Sequence, residues 1–195
     1  MKTRCKSNLI YVPFLVLTII VLSCTQNSKD KPIWQTEFNQ KLPLLGHRNW
    51  VLVVDKAFPL QSSAGMTVIN TGEQLPVVLK EVIKSISTST HVKSIVYTDS
   101  ELSYITQDLS PGAVELKKEI FGALKGFEVN TILHEAVFAK LDEASKLFSV
   151  VVLKTESTIP YSSVFIQLDC AYWDANREKK LREKMTNASS KSEIH

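Results

Sequence analysis

Residues 44–59 read Leu-Leu-Gly-His-Arg-Asn-Trp-Val-Leu-Val-Val-Asp-Lys-Ala-Phe-Pro. At the centre, Trp50 to Val54 is an unbroken apolar run rich in β-branched side chains. A strand with one wet face alternates apolar and polar residues. A run without alternation predicts a strand buried on both faces, the kind that parallel sheets of α/β proteins contain. Polar residues bracket the run: Gly46 and His47 precede it, and Asp55 follows directly. Folds of this class hold ligands at the C-terminal ends of their parallel strands, so Asp55 is a candidate acceptor for ligand hydroxyls. An imidazole changes charge near neutral pH, so His47 is a candidate proton donor and acceptor.

Outward from this strand, helical and extended patterns alternate. A short amphipathic helix is expected over 33–45, limited by Pro43. Met66 to Asn70 reads as a second strand. Leu75, Val78, Leu79, Val82, Ile83 and Ile86 recur at helical spacing, with Pro76 in the first turn, where a missing N–H costs nothing. Val92 to Tyr97 reads as a strand. Ser110-Pro111 is expected to open the next helix and Gly126 to close it. A strand over Val129–Leu133, a helix over His134–Leu147, and strands over Phe148–Leu153 and Ser163–Leu168 complete the pattern. Strands alternating with helices predict an α/β layered domain whose central, largely parallel sheet is flanked by helices. After Asp174 the chain is highly charged and then polar, which predicts a solvated helix and a frayed end over 174–195.

The chain has 195 residues, 44% apolar and 22% charged, with a formal net charge of +3. Lys2, Arg4 and Lys6 carry the whole excess, since 20 basic and 20 acidic side chains remain without them. A neutral domain gives no electrostatic footprint for nucleic acid. These three charges precede an apolar stretch, Leu9 to Leu22, too short for a spanning helix. It ends in Val21-Leu22-Ser23-Cys24, which resembles a bacterial lipobox. The implied organisation is a signal peptide over 1–23, a lipidated Cys24 with a tether over 24–32, and a domain over 33–173. Cleavage and lipidation there imply a membrane-anchored lipoprotein of the bacterial envelope, facing the periplasm or exterior. Cys170 is then the single remaining thiol beside Cys5 and Cys24, so the domain forms no internal disulfide. A lone Cys among apolar positions reads as a small core residue, and Trp50 and Trp173 read as packing residues.

Nucleotide-binding glycine loops, the Gly-x-Ser-x-Gly elbow, Cys-x-x-Cys and His-Glu-x-x-His are all missing. The four histidines lack metal-ligand spacing. The remaining chemistry is that of single side chains meeting in space, with no metal or other cofactor expected.

The 44–59 segment resembles the start of the ribose pyranase / fucose mutarotase (RbsD/FucU) family. That family carries a Gly-His pair, a strand, an aspartate eight residues after the histidine, and a proline four residues further. Gly46, His47, Asp55 and Pro59 reproduce those spacings, and Phe58 matches the fucose branch. The likeness continues through Gly72 and Pro76. His134-Glu135 resembles the family's substrate-contacting histidine at a helix start, and Pro160-Tyr161 its proline-tyrosine pair before the last strand. It spans about residues 36 to 168. The resemblance implies a monosaccharide as partner and interconversion of its cyclic forms as activity. His47 is then the acid–base residue, and Asp55, His134, Tyr161 and Ser163 contact the sugar. It also implies ring-like homo-oligomers with sites between subunits. The chain departs from the pattern at Asn49 and Ser163, where aspartate and asparagine are usual, and at Lys56, where alanine is usual. These departures keep open a sugar-binding lipoprotein without catalysis, and a scaffold with an empty cleft. The carbohydrate reading requires His47 and Asp55 to reach one cavity.

Overall fold

The computed structural model describes residues 31–192, with side chains to residue 187. The signal segment and Cys24 lie outside the described residues. Six strands form one sheet in the order β2-β5-β1-β6-β3-β4: β1 Trp50–Val54, β2 Met66–Asn70, β3 Val92–Asp99, β4 Val129–Ile132, β5 Val150–Lys154 and β6 Val164–Cys170. The helices are α1 Ile33–Lys41, α2 Leu75–Ser87, α3 Ala113–Ala123, α4 His134–Leu147 and α5 Ala175–Ser192.

The sheet is α/β and mostly parallel, as expected, with one exception. β1, β2 and β5 run together, as do β3 and β4, while β6 runs antiparallel to both of its neighbours, β1 and β3. The apolar run of β1 is buried along its whole length because both faces are covered. Val51 and Val53 enter a core with α1, α2 and α3, through residues such as Phe38, Leu79 and Ile120. Trp50, Leu52 and Val54 point the other way, into a smaller core with Val137 and Leu141 of α4. Period-two alternation therefore feeds two cores at once, which is why no polar residue interrupts the run.

Several element ends differ from expectation. α1 stops at Lys41 and a 3₁₀ turn over Leu42–Leu44 takes in Pro43. α3 starts at Ala113 instead of at Ser110-Pro111, because Gly112 turns the chain at φ +88°, a conformation that costs glycine little. β3 runs two residues past Tyr97, to Asp99. α5 is solvated as expected, with no buried side chain described, but continues through the polar stretch to Ser192. Trp50 packs in the core against Tyr97, ring centroids 5.7 Å apart. Trp173 is partly exposed, its indole N–H donating to Glu178 at 2.8 Å. Cys170 is a free, partly exposed thiol at the end of β6.

Gly65 marks a close approach between backbones. A Cβ there would lie 2.2 Å from the carbonyl oxygen of Ser145 and 2.5 Å from that of Phe148. The end of α4 and the start of β2 meet at that point, and only a missing side chain lets them touch.

Candidate active site

The reversed β6 decides which residues share an edge. Val164 opens β6, paired with Val53 on one side and Thr98 on the other. The C-terminal ends of β1 and β3 and the N-terminal end of β6 therefore lie together. Asp99 pairs with Ile132, so the end of β4 joins them. Asp55, Asp99, His134, Tyr161 and Ser163 all belong to this edge.

Asp55 starts a turn braced from β5 and the loop after it. Ala57 N–H donates to Asp55 Oδ1 at 2.9 Å, and the Ser163 hydroxyl donates to Oδ2 at 3.0 Å. Lys154 Nζ donates to the Phe58 carbonyl at 2.8 Å, and Lys56 pairs with Glu156. Ser163 is 0% exposed. It supports Asp55 from within and does not face the cavity, contrary to the expected sugar contact.

His134 is the first residue of α4. Its Nδ1 lies 3.2 Å from Asp99 Oδ2. The contact has ion-pair distance but not the alignment of a good hydrogen bond: Nδ1 and both Asp99 oxygens are buried without one. Asp99 is 1% exposed. Burial pushes its carboxyl up from 3.8 to about 6; the adjacent His134 opposes this, while the charges of Glu101 and Asp55 reinforce it. A buried carboxylate with one imperfect partner is costly, and such groups in clefts are functional-site candidates.

Tyr161 packs edge-on to the His134 ring, centroids 5.1 Å apart, and Phe138 does so from α4 at 4.9 Å. Phe58 stacks on Phe138 at 5.4 Å. Tyr161 has φ +58°, unusual for a bulky side chain and a form of strain held by surrounding structure. The brace is a pair of buried serines: Ser162 Oγ donates to Ile159 O at 2.7 Å and lies 3.3 Å from Ser157 Oγ. Together Asp55, Phe58, Pro59, His134, Phe138 and Tyr161 line a cavity of about 230 Å³. That is under the roughly 300–1,000 Å³ of drug-sized pockets and limits the site to a small solute. Among the described residues no group of three His, Cys, Asp or Glu side chains could hold a metal ion.

His47 is elsewhere. The 46–49 turn is closed by Gly46 N–H donating to Asn49 Oδ1 at 2.6 Å, and it pairs with the far end of β6 through Arg48 N–H to Leu168 O at 2.8 Å. His47 accordingly borders a different cavity, with Asp169, Cys170, Tyr172 and Trp173. Trp50 to Asp55 alone spans about 16 Å at roughly 3.3 Å per residue. The expectation that His47 and Asp55 share a cavity therefore does not hold within one chain: they sit at opposite ends of β1. Asn49 serves as the turn's brace, and His91 is structural, its Nε2 3.0 Å from the Leu45 carbonyl.

Sequence reasoning missed Asp99. The rule that selected Asp55, an acid at the C-terminal end of a strand, applies equally to Asp99 in Val-Tyr-Thr-Asp.

No family model and no curated protein matches the chain. Among solved structures it is similar to Bacillus subtilis RbsD complexed with D-ribose, at 19% identity over 69% of this chain and 92% of that one, TM-score 0.48. It is similar to the fucose mutarotase in complex with L-fucose from Streptococcus pneumoniae, at 17% identity over 72% and 97%, TM-score 0.48. FucU from Bifidobacterium longum gives 16% identity over 69% and 94%, TM-score 0.45. Likeness at this level says nothing of activity, which rests on the residues of the cavity.

Proposed function

We propose that this chain interconverts the cyclic forms of a free monosaccharide, with His134 as the proton donor and acceptor. The observation that carries the reading is the imidazole of His134, backed by the buried Asp99, in the lining of the same small cavity as Asp55. Opening a hemiacetal removes the anomeric hydroxyl proton and protonates the ring oxygen. Reclosing on the other face gives the other anomer. An ionised Asp99 favours the His134 tautomer with Nδ1–H, leaving Nε2 to take the hydroxyl proton and return it. Asp99 then stabilises the imidazolium that forms. Asp55 accepts from sugar hydroxyls, Tyr161 supplies a further polar contact, and Phe58 and Phe138 pack under the sugar's apolar face. No covalent intermediate is needed.

His47 enters through self-association. The resemblance implies sites between subunits, and His47 and Asp55 mark opposite ends of one molecule. A head-to-tail contact sets the His47 end of one copy against the Asp55 end of the next, and heterologous contacts of this kind form a ring when the rotation between copies closes. Exposed apolar side chains at both ends favour this: Leu44 and Leu147 at the first, Leu60 and Leu133 at the second.

Saturation-exchange NMR between anomers of ribose, fucose and related sugars tests the activity, with acceleration over buffer expected. Mixing His47→Ala with Asp55→Asn chains is expected to restore part of the rate each has lost, because some interfaces then carry both native residues. Sugar binding by calorimetry without acceleration leaves only the non-catalytic sugar-binding alternative, and absence of both defeats the carbohydrate reading. The lipid anchor at Cys24 forms part of the proposal and holds the domain at the bacterial envelope, facing the periplasm or exterior. Fatty-acid labelling that disappears in Cys24→Ser is the expected result; labelling that persists in that variant excludes Cys24 as the attachment point.

A further inference from the structure

We infer that Glu101 is a positioning residue of this site: it grips the backbone of His134 while Asp99 holds its ring. This rests on the reading of His134 given above. α4 begins at His134, and the residue before it, Leu133, has no side-chain oxygen to cap the helix. The first N–H groups of a helix have no partner within it. Here the partner comes from 33 positions earlier: His134 N–H donates to both carboxylate oxygens of Glu101, at 3.1 and 3.2 Å. A carboxylate at a helix N-terminus is also favoured by the helix dipole.

Glu101 lies in a 3₁₀ turn over Ser100–Tyr104 directly after β3, and Leu102, 1% exposed, anchors that turn in the core. Asp99 and Glu101, two residues apart, thus converge on one histidine from the same piece of chain. Losing the Glu101 contact frees the start of α4, while Asp99 is left to hold the ring alone. The ring then drifts relative to Asp55 and Tyr161, and small misplacements of a reacting group are expensive.

The groups acting on Asp99 are His134 on α4, Glu101 on the turn and Asp55 after β1. Glu101 and Asp55 help Asp99 keep its proton, and His134 opposes them. Removing the Glu101 charge is therefore expected to move Asp99 titration to lower pH.

The test uses the full chain and two variants. Glu101→Gln keeps an acceptor oxygen and loses the charge; Glu101→Ala loses both. Carboxyl ¹³C NMR of Asp99 is expected to titrate at lower pH in both variants than in the native chain. In anomer exchange, Glu101→Ala is expected to lose kcat by roughly ten- to hundred-fold with KM little changed. Glu101→Gln is expected to recover most of that rate, with the acid limb of its pH profile moved down. An unmoved Asp99 midpoint in both variants, or a native kcat and pH profile in Glu101→Ala, overturns the inference. If Glu101→Ala does not fold, the Asp99 midpoint in Glu101→Gln decides alone. If the native chain accelerates no sugar, the proposed activity fails, while the Asp99 titration still decides the role of Glu101.

Discussion

Replacing His134 by alanine is expected to lower anomer exchange by about 10²- to 10⁴-fold, the usual worth of a placed acid–base group. Nδ1 is buried beside Asp99, while a third of the side chain is exposed on the cavity rim. Among the described residues no other imidazole of the same chain borders that cavity, so none of them takes over. The variant also strands Asp99. Breaking a buried pair leaves one charge uncompensated, at a cost of roughly 3–5 kcal/mol, and the carboxyl escapes that cost by binding a proton. His134→Ala is therefore expected to be most destabilised at pH 8 and to regain stability as pH falls towards 5. Urea midpoints across that range, read beside exchange rates, check both halves. A variant that keeps its exchange rate excludes His134 from the chemistry, and a pH-independent stability loss excludes the pairing with Asp99.

Asp99→Asn is expected to do the opposite to stability while also removing activity. The Asp99 carboxyl is pushed up to about 6 from 3.8, chiefly by burial, with the His134 charge acting against it. The folded chain thus keeps this proton up to about pH 6, whereas the unfolded chain releases it near 3.8. Between those values the folded state binds more protons, so stability contributed by this group falls as pH rises and is fully lost above the folded value. Asparagine has the same shape and never carries the charge. At pH 7.5 the variant is expected to be more stable than the native chain by about 1–3 kcal/mol. The gain should shrink on acidification and vanish below about pH 4. Exchange should fall by about 100-fold or more, since the amide neither favours the Nδ1–H tautomer nor stabilises the imidazolium. Melting curves at pH 4 and 7.5 test the sign. Lower stability at pH 7.5 would mean that the His134 pair outweighs the burial of Asp99. A more stable but less active variant is what a site that trades stability for function predicts.

Much of this architecture is legible in the chain. Five consecutive apolar residues rich in β-branched side chains, Trp50 to Val54, favour a strand buried on two faces. Leu75 to Ile86 has one helical apolar face, and α4 begins at His134 as its pattern implies. Asp55, His134 and Tyr161 were visible as polar residues beside element ends, and in the structure those three line one cavity.

What local reading could not supply was direction and distance. Spacing along an extended chain separates groups instead of gathering them, so His47 and Asp55, which look paired in sequence, lie beyond each other's reach within one subunit. The reversal of β6 carries no signature of its own, because an antiparallel strand covered on both faces needs the same buried apolar side chains as a parallel one. That reversal places Ser163 beneath Asp55 and closes the 46–49 turn against the far end of the sheet. Asp99 and Glu101 acquire meaning only because strand order seats β3 beside β4, whose following helix starts with His134. Composition and periodicity, through the hydrophobic effect, determined which elements form and which faces they bury. Only the packed sheet, by setting strand order and sense, decided which polar side chains meet.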